Sequence, residues 1–171
     1  MDPLQLQSLA MIRHPYRASL RAAPSSTITA TCDSLFHVVP YNLIEYDPNN
    51  NCTLGTGAGY TAPIAGYYLV NVNYLLNVQG TSVGQIASGL LLNGSGIRQS
   101  IRQHAFASGV NDFQSGTFAT IVSMNIGDFV QATYFADPGA GSSGSTTFYT
   151  GSSDNRFGNA HWLEVSLLSL K

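Results

Sequence analysis

The sequence predicts an all-β protein in which antiparallel strands form a sandwich or jelly roll, and three observations lead to this fold class. After residue 26, short apolar segments follow one another, separated by residues typical of turns such as glycine, asparagine and proline. No long window in that part of the chain keeps the 3.6-residue period of an amphipathic helix. Residues 66–78 instead alternate with a period of two, which is the pattern of a strand with two different faces.

The composition of the chain predicts a surface of unusually low charge. The chain has 171 residues, enough for one domain, and its hydrophobic content of 44% is ordinary. Charged residues make up only 9% of the chain, against about 25% in a typical soluble domain. Two explanations stay open: outer faces that are covered in an assembly, or a soluble domain with an uncharged polar surface. The net charge of −2 gives no reason to expect nucleic acid or a membrane as a partner.

Residues 1–26 differ from the rest of the chain and are predicted to form an N-terminal arm, with the main domain at 27–171. The arm carries three of the six arginines and one acid, Asp2. Two interpretations stay open, a flexible tail and an arm that docks on another subunit. The number of apolar residues favours the docking arm, because a solvated tail would carry fewer of them. The residues proposed to carry docking are Leu6, Leu9, Met11, Ile12, Arg13, Arg17 and Arg21. The segment lacks the pattern of a secretory leader.

Residues 27–59 are predicted to form three strands and a loop. The strands lie at 27–31, 34–41 and 42–47, and the loop follows at 47–59. In the strand that starts at Gly66, one face is wholly apolar and faces the core; it comprises Tyr68, Val70, Val72, Tyr74, Leu76 and Val78. The other face holds asparagines with Tyr67, Leu69 and Leu75, which suggests partial cover by another molecule.

Further along, Asn93-Gly94 predicts the turn of a hairpin. A second strand pair is expected around residues 125–128, where Asp128 is interpreted as a turn residue. Residues 138–147 read as a loop, and residues 161–170 as a closing strand. Other residues predicted to be buried are Val122, Val130, Leu163 and Val165.

No combination of residues in the sequence predicts catalysis. Residues 139–144 fit the spacing G-x-G-x-x-G, but no helix is predicted after them to bind a phosphate. No serine lies in a G-x-S-x-G motif. The four histidines lack the spacing of metal ligands. We therefore expect no enzyme activity, no cofactor and no metal.

Four short motifs, in order and at the right spacing, carry a resemblance to a known family. They are Pro40-Tyr41-Asn42, residues 63–68 (PIAGYY), Asn93-Gly94 and residues 127–130 (GDFV). Over residues 30–168 the chain resembles the globular head of the complement component 1q and tumour necrosis factor (TNF) superfamily. The family's final Phe-x-Gly-aromatic strand is not matched, because Phe157-Gly158 is followed by other residues before Trp162.

This resemblance implies a ten-stranded jelly roll that assembles as a homotrimer. The residues that the hypothesis places in the trimer interface are Tyr67, Leu69, Leu75 and Trp162.

The resemblance and the arm together suggest a structural virion protein. The function expected first is a trimeric capsid decoration (cement) protein of a bacteriophage or other virus, whose arm docks on the major capsid protein. It would be assembled in the host cytoplasm and lie on the capsid exterior. The alternative is a receptor- or glycan-binding head, such as an adhesin or fibre tip, that binds a host-surface glycan through loops that include residues 138–156.

Overall fold

The structure is a computed structural model that describes residues 16–21, 28–30, 33–79, 83–105, 112–137, 145–148 and 161–171. The described residues form thirteen strands and one 3-10 turn at Gly55–Gly57. The strands are β1 (Arg17–Arg21), β2 (Ile28–Ala30), β3 (Phe36–Val38), β4 (Leu43–Tyr46), β5 (Cys52–Thr53), β6 (Gly59–Thr61), β7 (Gly66–Gln79), β8 (Val83–Leu92), β9 (Ser95–Ala105), β10 (Asp112–Met124), β11 (Phe129–Asp137), β12 (Ser145–Phe148) and β13 (Trp162–Leu170).

Two antiparallel sheets make up the domain, which confirms the predicted all-β sandwich. Sheet A has seven strands and is built around β7. Strand β10 pairs with one edge of β7, and β13 and β12 share the other edge. Sheet A continues from β13 to β1 and β4, and from β12 to β2. Sheet B has six strands in the order β5-β6-β11-β8-β9, and β3 also pairs with β11.

The core consists of apolar side chains from the inner faces of the two sheets. The alternation in β7 has the predicted effect, since Tyr68, Val70, Val72, Tyr74 and Leu76 are at most 1% exposed. The other residues predicted to be buried, Val122, Val130, Leu163 and Val165, are at most 5% exposed, which confirms these predictions, while the side chain of Val78 lies outside the described part.

The predicted hairpin at Asn93-Gly94 is confirmed. Strands β8 and β9 pair up to Leu92 opposite Ser95, which leaves these two residues as the connection. Asn93 has φ of 52° and Gly94 has φ of 79°. Two positive φ values fit the tight two-residue turn that asparagine followed by glycine favours.

The two strands predicted around residues 125–128 and the turn between them are confirmed, but the prediction that the strands pair with each other is wrong. Strand β10 pairs with β7 in sheet A, whereas β11 pairs with β8 in sheet B. The turn between them therefore passes from one sheet to the other. Both strands alternate in the way a hairpin would require, but alternation sets only which face is buried and does not choose the neighbouring strand.

The predicted boundary between arm and domain at residue 26 lies too late in the sequence. Residues 17–21 form β1, which pairs with both β13 and β4. Ala18 and Leu20 are each 1% exposed and belong to the core. They stand opposite Val165 and Leu163, so both side chains lie on the inner face of sheet A. Arg17 and Arg21 are thus residues of the sandwich, while residues 1–15 lie outside the described part of the chain.

The strand count exceeds the ten that the family resemblance implies. The excess comes from short pieces such as β2, β3, β5 and β12, which are two to four residues long. They extend the two sheets without changing the two-layer arrangement.

The strand directions give the sandwich two different ends. At one end, called the turn end here, β8 joins β9 through residues 93–94 and β10 joins β11 through residues 125–128. The start of β7 and the end of β13 also lie there, since Gly66 pairs with Met124 and Leu170. At the opposite end, called the loop end, β7, β9 and β11 end and β8, β10 and β12 begin, and residues 80–82, 106–111 and 138–144 between these strands lie outside the described residues.

Candidate functional site: the outer face of sheet A

The candidate site begins with the face of β7 that points away from the core. Tyr67 is 45% exposed, although its neighbour Tyr68 is fully buried. Leu69, Asn71, Asn73 and Leu75 are partly buried on the same outer side. This face carries aromatic, aliphatic and amide groups and no charge.

Strand β10 continues the outer face on one side. Its exposed residues lie directly opposite the outward residues of β7: Ser115 pairs with Leu75, Thr117 with Asn73, Ala119 with Asn71, Ile121 with Leu69 and Ser123 with Tyr67. Thr117 donates a hydrogen bond from its hydroxyl to Oδ1 of Asn73. Ile121 is 56% exposed beside Leu69, so the face gains an apolar centre there.

Strands β13 and β1 continue the face on the other side. In β13, Trp162 stands opposite Asn73, Glu164 opposite Asn71 and Ser166 opposite Leu69. Nη2 of Arg17 lies 3.4 Å from Oε1 of Glu164, and the two side chains are 51% and 33% exposed. An ion pair at this exposure contributes about 0–1 kcal/mol. Its main effect is that the charges of Arg17 and Glu164 offset each other beside the uncharged residues of β7.

A shallow polar groove lies where β1, β4 and β13 meet. Its volume is about 310 Å³, and it is lined by Arg17, Ser19, Glu45, Tyr46 and Glu164. The hydroxyl of Ser19 donates to Oε2 of Glu45 across 3.2 Å. The groove can accept polar or cationic groups at the rim of the outer face.

His161 accepts a backbone hydrogen bond from β7 at the point where the neighbour of β7 in sheet A changes from β13 to β12. Pairing with β13 ends at Asn73, and pairing with β12 starts at Leu76. In the gap, the backbone N–H of Leu75 donates to Nδ1 of His161, at 3.2 Å. The imidazole is 1% exposed. Sequence reasoning treated this histidine as scattered, and no signal in the sequence placed it beside Leu75.

Tyr41 positions the start of β13. Its hydroxyl donates to the backbone carbonyl of Trp162 at 3.0 Å, and the side chain is fully buried. Burial raises the pKa of Tyr41 well above its usual range. The phenol therefore stays protonated and remains a donor, which fixes the backbone that carries Trp162 on the outer face.

A network of hydrogen bonds joins the two tight turns at the turn end. Asn93 accepts from the N–H of Phe129 and donates to Oδ1 of Asp128, each at 2.8 Å. Oδ2 of Asp128 accepts from the N–H of Asn125 at 2.6 Å. These bonds to Asn125 and Asn93, with the nearby Lys171 charge, lower the pKa of Asp128. The interpretation of Asp128 as a turn residue is confirmed.

The four predicted trimer-interface residues share one surface. Tyr67, Leu69 and Leu75 lie on the outer face of β7, and Trp162 lies beside Asn73 on the adjacent strand. The predicted docking residues divide: Arg17 and Arg21 belong to β1, and the others lie outside the described residues. Sequence reasoning missed the contributions of β10 and Glu164, because strand pairing is what brings them to this face.

Two further features are absent from the described part of the chain. Its histidine, cysteine, aspartate and glutamate residues form no cluster of three or more that could hold a metal ion. Within the same residues, no helix is long and apolar enough to cross a bilayer. The G-x-G-x-x-G segment at 139–144 lies outside the described residues.

Comparison with known proteins shows the fold. No protein-family model matches the chain, and no curated protein matches it significantly. Among solved structures, the Eiger TNF of S. frugiperda is similar with a TM-score of 0.64 and 12% identity, covering 91% of this chain and 94% of that one. The globular domain of the zebrafish complement 1qA protein is similar with a TM-score of 0.53 and 14% identity, covering 91% and 99%. The chain therefore has a TNF-like jelly-roll fold.

Proposed function

We propose that the protein is a structural, non-enzymatic homotrimer that decorates a viral capsid, and that the outer face of sheet A is its trimer interface. The observation that carries the trimer is the composition of this face. Outward residues of β7 and β10 are exposed or partly buried, and those described above carry no charge.

The physical reason is the cost of desolvation. Burying an unpaired charge costs far more than burying an amide or hydroxyl that keeps a hydrogen bond. Asn71, Asn73 and Thr117 can pair across an interface, while Tyr67 and Ile121 supply apolar area. The TNF-like fold supports the proposal, since the sequence resemblance to that superfamily implies three-subunit assembly.

The proposed capsid attachment uses the N-terminal segment. With β1 assigned to the sandwich, the docking arm is shortened to residues 1–15, which hold Leu4, Leu6, Leu9, Met11 and Ile12 together with Arg13. Apolar side chains of this kind can fill a groove on the major capsid protein. Three arms in one trimer raise the overall affinity, because the second and third contacts are intramolecular.

The direct test is binding to purified, undecorated capsids of the virus that encodes the protein. The full chain should sediment with these capsids, and a chain lacking residues 1–15 should not. A full-length variant with serine at Leu4, Leu6, Leu9, Met11 and Ile12 is the matched control for chain length, and it should also remain unbound. Equal decoration by the truncated chain would contradict docking through the arm.

A second function, binding of a receptor or glycan, is favoured by the unequal ends of the sandwich. At the turn end, two residues separate β8 from β9 and four separate β10 from β11, whereas six residues separate β9 from β10 and seven separate β11 from β12. Longer connections commonly carry binding residues on a rigid sheet scaffold. Binding of the isolated protein to a glycan array, lost when residues 138–144 are replaced by a short glycine-serine linker, would support this alternative and place it ahead of capsid decoration.

A further inference from the structure

Three large apolar side chains are exposed at the turn end of sheet A. Ile126 is 72% exposed, Leu170 is 66% exposed and Leu168 is 52% exposed. Single exposed apolar residues are normal on a soluble protein, but several at one place indicate an interaction surface. We call these three residues the turn-end patch.

Strand pairing and one hydrogen bond bring the patch residues together. Gly66 of β7 pairs with Leu170 on one side and with Met124 on the other, so Leu170 and the turn that carries Ile126 flank the same strand. Nζ of Lys171 donates to Oδ1 of Asn125 at 3.0 Å, which joins the residues beside Leu170 and Ile126.

A bulge places Leu168 in the same region. The register of β13 against β7 shifts between Leu167 and Ser169, so Leu168 has no partner in the ladder. Leu167 is 8% exposed, and Leu168 next to it is 52% exposed. An extra residue of this kind disrupts the ladder locally and bends the strand.

The described part of the chain begins at Tyr16, beside this patch. The carbonyl of Tyr16 accepts a hydrogen bond from the N–H of Leu167 at 3.2 Å. Because β1 runs antiparallel to β13, with Arg17 opposite Ser166, Tyr16 lies toward the end of β13 that carries Leu168 and Leu170. Residues 1–15 are joined to the chain at Tyr16, and fifteen residues can span up to about 50 Å when extended.

The composition of residues 1–15 suits them to cover the apolar patch. Residues 1–15 contain Leu4, Leu6, Leu9, Met11 and Ile12, and Asp2 and Arg13 are their charged side chains. Contact between the apolar side chains of this segment and the exposed leucines and isoleucine of the patch would remove both from water, which is favourable. Because the segment is covalently joined to β1, this contact is intramolecular, which raises the effective concentration of the segment at the patch.

We infer that residues 1–15 fold back over the turn-end patch of the chain that carries them, and so cover Ile126, Leu168 and Leu170 in the unattached protein. This cover does not require capsid binding. If the arm docks on a capsid as proposed above, residues 1–15 leave the patch and bind an apolar groove of the capsid protein instead. The uncovered patch can then contact the capsid surface.

Cysteine cross-linking tests the inference in the full chain. In a background with Cys32→Ser and Cys52→Ser, Leu9→Cys is combined with Leu170→Cys or with Ile126→Cys. The control combines Leu9→Cys with Leu35→Cys, which is 61% exposed and lies beside the loop-end part of β11 in sheet B, away from the proposed interface. Under mild oxidation, we expect the patch pairs to form an intrachain disulfide at least tenfold faster than the control pair. Equal rates, or a product that joins two chains on a denaturing gel, would overturn the inference.

Dye binding gives a second readout that needs no cysteine. Deleting residues 1–15 should uncover the patch and raise the fluorescence of anilinonaphthalene sulfonate severalfold. The same deletion combined with Ile126→Ser, Leu168→Ser and Leu170→Ser should return it to the value of the full chain. An unchanged signal on deletion, or a raised signal that persists in the serine variant, would show that residues 1–15 cover some other surface or none.

Discussion

The hydroxyl of Tyr74 in sheet A donates a hydrogen bond of 2.6 Å to the backbone carbonyl of Ala87 in sheet B. The hydroxyl of Ser88 in turn donates to the Tyr74 oxygen at 3.1 Å. Both contacts are buried between the sheets. Gly116 lies opposite Tyr74 on β10, and a Cβ there would overlap Tyr74 and the Ser88 hydroxyl. These residues form a polar link between the two layers of an otherwise apolar core.

Replacing Tyr74 with phenylalanine should destabilise the protein by about 1–3 kcal/mol, because the Ala87 carbonyl and the Ser88 hydroxyl lose a buried partner. Urea unfolding followed by circular dichroism measures this change. Tyr67→Phe is the matched control, since Tyr67 lies on the outer face and is 45% exposed. Equal unfolding midpoints for the two variants would contradict the role given to Tyr74.

Val72→Asp should prevent folding, because the carboxylate would be placed in the core without a partner. Val72 is 1% exposed and stands opposite Leu163 and Phe118 in the neighbouring strands. Asn71→Asp places the same charge one residue away on the outer face, and this chain should fold. The comparison of soluble yield and circular dichroism checks the assignment of faces. A Val72→Asp protein that melts like the parent would reverse it.

The contribution of Asp128 to stability should disappear in acid. Hydrogen bonds from Asn125 and Asn93 lower its pKa in the folded protein below the ordinary value of about 3.9 for an aspartate. A lowered folded pKa means that the stabilisation is fully present above the unfolded pKa and is lost as the pH falls through the folded pKa. The gap in urea midpoint between the parent and Asp128→Asn should therefore be full at pH 6 and should close below about pH 4. A gap that widens in acid would contradict the assignment.

Two truncations should separate the arm from the sandwich. Removing residues 1–15 leaves β1 in place, so the protein should fold. Removing residues 1–21 takes away Ala18 and Leu20, which are each 1% exposed, and uncovers the edge of β13. Loss of a buried leucine alone costs about 2–5 kcal/mol. We expect the longer truncation to be largely insoluble, and a melting temperature equal to that of the parent would show that β1 is dispensable.

The sequence predicted those parts of the fold that depend on local pattern. Alternation in β7 assigned Val70, Val72 and Tyr74 to the core, and Asn93-Gly94 identified a hairpin because this pair adopts positive φ readily. The strand at Arg17–Arg21 was missed, because its five residues alternate arginine, alanine, serine and leucine without a strong apolar face. Its burial depends on β13 and β4, which are distant in sequence.

The candidate site was predicted only where it lies on one strand. Tyr67, Leu69 and Leu75 follow from alternation within β7. Ile121 and Glu164 join them through pairing across long sequence separations, and a period of two carries no information about which strand is the neighbour. The role of His161 depends on a gap in pairing beside Leu75, which exists only in the assembled sheet.

The mass of the protein in solution, measured by light scattering at micromolar concentration, tests the central claim most directly. We expect the parent to have three times the 18.2 kDa mass of the chain. Ile121→Asp, which places a charge on the outer face beside Leu69, should fold and have the mass of one chain, whereas Ser34→Asp, on an exposed loop beyond sheet A, should remain a trimer. A parent with the mass of a single chain, or an Ile121→Asp variant that is still a trimer, would contradict assembly through this face.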